Sequence, residues 1–360
     1  LLCSTLKEYF EGNKEMFAGL QMADLEKDWV KYPVIHFSFA IAKNVSKESL
    51  NAIINNILCE AEKKFGLINT ENDCGVRFSN LIKNIYEKTG QKVVVIIDEY
   101  DAPMLDSIDN DILQNKIRSI QNQFFSPLKQ LDPYLRFVFI TGITKFSQMS
   151  IFSALNNLKD ISLMPEFEAI CGISKDELFT QLKDGLQNFA DKNEILFDQA
   201  LDLFTKKYDG YHFSEEKQDI FNPYSVINAL NDRKLNDYWF GSATPSALIK
   251  LICKFDVEIS DYEMVECDSF RFNQPVEKVT DLVPFLFQSG YLTIKDYNKE
   301  YGTYILGYPN EEVKSSLANV LYRYTYSTHD NIPLKKAFID FKKDDDIDKF
   351  VEHLKVFFYG

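Results

Sequence analysis

The sequence predicts an α/β fold in which a parallel sheet is flanked by helices, followed by smaller helical and β-containing parts. Three observations carry this. Short, nearly all-apolar runs at Pro33 to Ala40, Lys92 to Ile97 and Leu135 to Ile140 read as strands covered on both faces. Amphipathic stretches long enough for helices separate them, and parallel neighbours need such crossovers. Finally, 360 residues at 45% hydrophobic content can bury a large core, and a prior of roughly 150 residues per domain suggests two or three domains.

The chain opens with a helical pattern that places Leu2, Leu6, Tyr9 and Phe10 on one face and stops at Glu11-Gly12-Asn13, where glycine supplies an αL cap. After the first strand, helices are expected over Lys47 to Phe65 and Val76 to Lys88, separated by a polar loop containing Gly66 and Gly75. A further helix is expected over Asp111 to Leu131, before the third strand closes at Thr141-Gly142. Ser174-Lys175-Asp176-Glu177 is a capping box that starts a mostly helical section running towards Tyr238. Within it, Tyr208-Asp209-Gly210-Tyr211-His212-Phe213 sets aromatics around a glycine suited to positive φ at a helix end. Thr244-Pro245 has the chemistry of another helix start. Leu282 to Gly290 then precedes two β-like runs, Tyr291 to Ile294 and Tyr301 to Leu306, and a helix followed by a small hairpin resembles a winged-helix module. From Glu311 the pattern is helical, with a solvated acidic stretch at Asp344-Asp345-Asp346.

Composition excludes several classes. A net charge of −14 gives no overall basic footprint for nucleic acid. The six cysteines are scattered without a C-x-x-C pair, so neither a zinc knuckle nor a disulfide framework is signalled. His36, His212, His329 and His353 are too far apart in sequence to suggest a histidine-rich metal centre. No apolar run approaches the roughly 20 residues that span a bilayer, and a cytoplasmic chain with reduced thiols is expected.

The chemistry-bearing residues follow the apolar run Val93 to Ile97, which ends in Asp98-Glu99-Tyr100-Asp101. In open parallel sheets ligands bind beyond the carboxyl ends of strands. Adjacent carboxylates there divide the labour of phosphoryl transfer: Asp98 holds Mg²⁺, and Glu99 orients and deprotonates a water. This is the Walker B pattern, although a solvated acidic turn after a buried strand has the same letters. Its normal companion, G-x-x-x-x-G-K-[ST], is absent from the sequence. Either that loop lies upstream of Leu1 or the protein never had one, and the opening helix favours the first, because a P-loop leads directly into a helix.

The chain resembles the bacterial AAA-ATPase-like family often fused to a PD-(D/E)XK nuclease domain. The matching stretches are Leu2 to Phe10, Val94 to Pro103, Phe139 to Ser147, Ile151 to Leu163, Tyr208 to Phe213, Phe221 to Ser225, Ser289 to Ile294 and Gly307 to Val313. The resemblance implies a P-loop NTPase-like core over 1–173, a helical lid over 174–243, a winged-helix-like module over 244–310 and a helical linker over 311–360 leading to a nuclease domain. It places Leu1 directly after the loop's serine, hence beside ATP, with Asp98 on Mg²⁺ and Glu99 on the lytic water. Thr141 and Lys145, with Thr144, follow the next strand, where related ATPases sense the γ-phosphate; a solvated turn is the alternative. Phe146, Phe152 and Leu155 read as core contacts, and Asn156-Asn157 resembles a polar switch turn only by analogy. The expected partners are ATP and a homo-oligomer, in which Arg118 or Arg136 would serve as trans-acting fingers unless they are plain surface cations; nucleic acid would be met only through the nuclease. A nucleotide-dependent signalling module with negligible turnover is the competing function. A two-metal nuclease site built from Asp98, Glu99 and Asp101 lacks the companion lysine and a separate acid.

Overall fold

A computed structural model describes residues 1–40, 46–145, 158–239, 246–255, 262–274 and 281–325, with isolated positions 347 and 351. Its first part is a parallel three-stranded sheet of β1 (Val34–Ser38), β2 (Val93–Asp98) and β3 (Leu135–Ile140), in that spatial order. Helices α1 (Leu2–Phe10) and α2 (Gln21–Leu25) precede β1. Helices α3 (Lys47–Phe65) and α4 (Cys74–Thr89) connect β1 to β2, and α5 (Ala102–Asp106) and α6 (Asp111–Phe125) connect β2 to β3.

The side-chain period of two divides the sheet into two buried faces. Val34, Val94 and Ile96 pack under α1 with Cys3 and Phe10. Ile35, Phe37, Val95 and Ile97 point the other way, into the layer of α3, α4 and α6, where Phe78 stacks on Phe124 at 4.8 Å between ring centres. Val93 to Ile97 are fully buried, which explains why the central strand is a continuous apolar run rather than an alternating one. Strand β3 has one neighbour among the described residues, and Phe137, Val138, Phe139 and Ile140 are only half-buried.

Helix α3 has the expected bounds because its ends are specified locally: Ser46 and Ser49 form a reciprocal cap, and Gly66 closes the helix at φ +61°. Two expectations need correction. Gly75 lies inside α4, whose N-cap is Asp73, and a Cβ there would sit 2.4 Å from the Gln123 carbonyl oxygen. The glycine thus serves close approach of α4 to the end of α6 rather than a loop. Helix α6 stops at Phe125, short of Leu131; a tighter turn, Ser126–Lys129, follows, with Pro127 unable to donate a helical hydrogen bond.

The helical section comprises α7 (Lys175–Thr180), α8 (Lys183–Lys192), α9 (Phe197–Tyr208) and α10 (Pro223–Asp232). It has its own core, centred on Leu186, Phe189, Phe204 and Tyr208. The expected Ser174–Glu177 capping box is present, and Gly210 has φ +91°, where a Cβ would also stand 2.5 Å from the Pro309 carbonyl oxygen. A short antiparallel pair, β4 (Ile173–Ser174) with β5 (Ile220–Phe221), ties the start of this section to the segment just before α10 and is additional to the expected elements.

Helices α11 (Ser246–Lys254), α12 (Ser269–Phe272), α13 (Val283–Gln288) and α14 (Glu311–Thr325) surround an antiparallel sheet of β6 (Val265–Asp268), β7 (Thr293–Asn298) and β8 (Thr303–Gly307), ordered β6-β8-β7. The β7–β8 hairpin matches the expected β-like runs, except that Tyr291 and Leu292 lie before β7 as buried anchors. Strand β6 is additional. Thr244-Pro245, Phe146, Phe152, Leu155, Asn156-Asn157 and Asp344-Asp345-Asp346 lie outside the described residues. Among the described residues no helix is long and apolar enough to cross a membrane.

Candidate functional site

Asp98 and Glu99 end the central strand. Register sets Ser38 opposite Asp98, and Thr141 N–H donates to the Ile97 carbonyl at 2.9 Å, so Thr141 ends the adjacent strand beside them. Helix α1 runs antiparallel to these strands: Cys3, near its start, meets Asp98, while Phe10, at its end, packs against Val34 and Val94 near the strand starts. The α1 N-terminus, where Leu1 is almost fully exposed, therefore opens at the same sheet edge as the two acids. First-turn N–H groups of a helix have no partners within it and carry a partial positive charge. Leu1, Asp98, Glu99 and Thr141 thus gather at one end of the sheet.

Glu99 has φ +50°, a left-handed conformation uncommon for a residue with a Cβ. Its carboxyl is half-buried, and burial first, then the charges of Asp98 and Asp101, push its pKa above the usual carboxylate range. A carboxylate so placed is a stronger base than one in water.

Asp101, the last acid of the run, faces inward and is fully buried. It accepts from Ile143 N–H at 3.2 Å, Thr144 N–H at 2.6 Å and the Thr144 hydroxyl at 2.8 Å. Burial raises its pKa, with these hydrogen bonds pulling against the shift. Tyr100 strengthens the clasp: its hydroxyl donates to the Thr144 carbonyl at 3.0 Å, and its own carbonyl accepts from Gln121 at 2.6 Å. Gly142 makes room for this, since a Cβ there would stand 2.3 Å from Asp101 Oδ1. The segment after β3 is therefore tied to the segment after β2.

Lys145 lies at the end of that tied segment. Its Nζ pairs with Asp160 at 2.8 Å, and its N–H donates to Gln288 Oε1 at 2.7 Å. Gln288, in α13, also donates to the carbonyls of Phe272 and Gln274. The sequence offered no signal for Gln288 and only a weak one for Asp101, because three acids within four residues do not say which of them turns inward.

Behind Asp98 lies a group the sequence spacing did not suggest. Cys3 Sγ, a ring nitrogen of His36 and an Asp98 carboxylate oxygen lie within 4.8 Å of one another. Burial, then the charge of Asp98 and the hydrogen bond to it, pushes the Cys3 thiol up to about 11. Desolvation holds the His36 imidazole below its usual value, opposed by the Asp98 charge.

A parallel α/β sheet with acids at its central strand end and a helix N-terminus beside them is consistent with a P-loop-like fold. Residues 1–152, which include all three parallel strands, match the family model described as "Predicted AAA-ATPase". A protein of Azotobacter chroococcum mcd 1, described as "Uncharacterized protein in vnfD 5'region", is 32% identical over 327 residues, or 89% of this chain. The chain spans 60% of that relative's length.

Proposed function

We propose that this chain is the ATP-binding and ATP-hydrolysing part of an AAA-ATPase-like protein. The observation that carries the reading is the convergence of the α1 N-terminus with Asp98 and Glu99 at the carboxyl end of β2. Asp98 offers half-buried oxygen donors of the hard kind that suit Mg²⁺, next to helix N–H groups that suit phosphate. Bound Mg²⁺ would neutralise charge on the phosphate oxygens. Glu99 takes the proton of the attacking water, with its raised pKa aiding the transfer. Thr141 donates its hydroxyl towards the transferred group, and Leu1 borders the phosphates. Lys145 reaches the γ-phosphate only by leaving Asp160, so its role requires a rearrangement.

In this reading the side of β3 that has no partner among the described residues receives the strand that carries the phosphate-binding loop. Residues 174–243 form a lid, 244–310 a winged-helix-like module and 311–360 a linker to a nuclease that ATP turnover would control. The half-buried Phe137 and Phe139 support a further strand beside β3. The test is ATP affinity and phosphate release in a protein that carries this chain together with the phosphate-binding loop this reading requires. Glu99→Gln should keep binding while losing turnover, and Asp98→Asn should weaken the Mg²⁺-dependent part of binding. Undiminished hydrolysis in Glu99→Gln refutes the assignment, and binding without turnover in the parent protein selects the signalling alternative.

A further inference from the structure

We propose that Cys3, His36 and Asp98 form a site for a borderline-soft divalent cation of the zinc class. The site follows from sheet parity: Val34, His36 and Ser38 share a face with Val94, Ile96 and Asp98, and that is the face α1 covers. The buried residue that α1 brings down at the strand ends is Cys3. Two sheet residues and one helix residue thus offer sulfur, nitrogen and oxygen donors whose atoms lie within 4.8 Å of one another.

Zn²⁺ bonds of about 2.0–2.3 Å in tetrahedral geometry set ligand atoms about 3.3–3.8 Å apart, so closure needs shifts of about 1 Å, within reach of rotamer adjustment. Thiolate and imidazole donors select zinc-like ions over Mg²⁺. Three protein ligands leave a fourth position, and the exposed His36 places the site at the surface, open to water or another ligand. On binding, the Cys3 S–H bond gives way to a sulfur–metal bond, and the proton passes to solvent. The proposal does not rest on the nucleotide reading, since it concerns this chain and the metal alone.

Co²⁺ titration of the whole chain under reducing conditions tests it, because a thiolate ligand produces a near-ultraviolet charge-transfer band. One equivalent should saturate that band, and Zn²⁺ should bleach it while a large excess of Mg²⁺ leaves it in place. Cys3→Ser should abolish the band. His36→Gln and Asp98→Asn should keep it but weaken Co²⁺ binding by about tenfold or more. Absence of a saturable band, a band that survives Cys3→Ser, displacement by Mg²⁺, or unchanged affinity in both other variants would each overturn the site.

Discussion

At the scale of single residues, Glu99 combines a strained backbone with a raised carboxyl pKa. A base with a raised pKa is lost to protonation at a higher pH than an ordinary carboxylate. Under the proposed function, the acid limb of the pH–rate profile for ATP hydrolysis should therefore lie above the range of a free glutamate and vanish in Glu99→Gln, whose residual rate should be roughly 10²- to 10⁴-fold lower. The strain predicts a separate result in stability: Glu99→Gly should be more stable than Glu99→Ala by about 1 kcal/mol in urea unfolding, because glycine adopts positive φ freely. Asp101→Ala should cost about 1–3 kcal/mol or more, since it leaves the buried Thr144 hydroxyl and two N–H groups without their acceptor. The position of Asp98 and Glu99 at a strand end was legible because they close an unbroken apolar run. The inward turn of Asp101 and the meeting of Cys3 with His36 were not, because they depend on helix placement and strand parity rather than on any spacing along the chain.

At the scale of elements, the legible helices were those with local stop signals, such as Ser46 and Gly66 around α3, and those missed or misjudged depended on neighbours. Strand β6 has two inward residues, Val265 and Cys267, too few to show an alternation, and exists through pairing with β8. Gly75 resembled a loop residue because only the facing Gln123 carbonyl explains its presence in a helix. Helices α3 and α4 are joined by a nearly buried pair, with Arg77 Nε and Nη2 donating to Glu62 at 2.7 and 2.6 Å. Burying ions costs about as much as pairing them returns, but stranding one is expensive. Arg77→Ala should therefore destabilise the chain by about 3–5 kcal/mol, whereas Arg77→Met combined with Glu62→Leu should recover most of that loss. Urea unfolding of the single and double variants measures both.

At the scale of the whole molecule, Gln288 joins the segment after β3 to the antiparallel sheet region, and Lys250 joins α11 to the Asp106 carbonyl and Asp109 beyond β2. Gln288→Ala should raise amide hydrogen exchange at Lys145 without affecting Val93 to Ile97. Equal protection there would show that this bridge does not restrain the segment. A charge of −14 further predicts no tight, salt-dependent binding of duplex DNA by the chain, measured by fluorescence anisotropy across ionic strengths. The half-buried side of β3 also bears on how this chain behaves at high concentration. Since Thr141 N–H points to β2, alternation turns the N–H and carbonyl of Val138 outward, beside apolar side chains that no second strand covers among the described residues. Such a ladder is a template for another copy, and Arg136 is its one charged side chain. Val138→Pro removes an outward donor while sparing the bonds to β2, and should slow concentration-dependent association seen by light scattering.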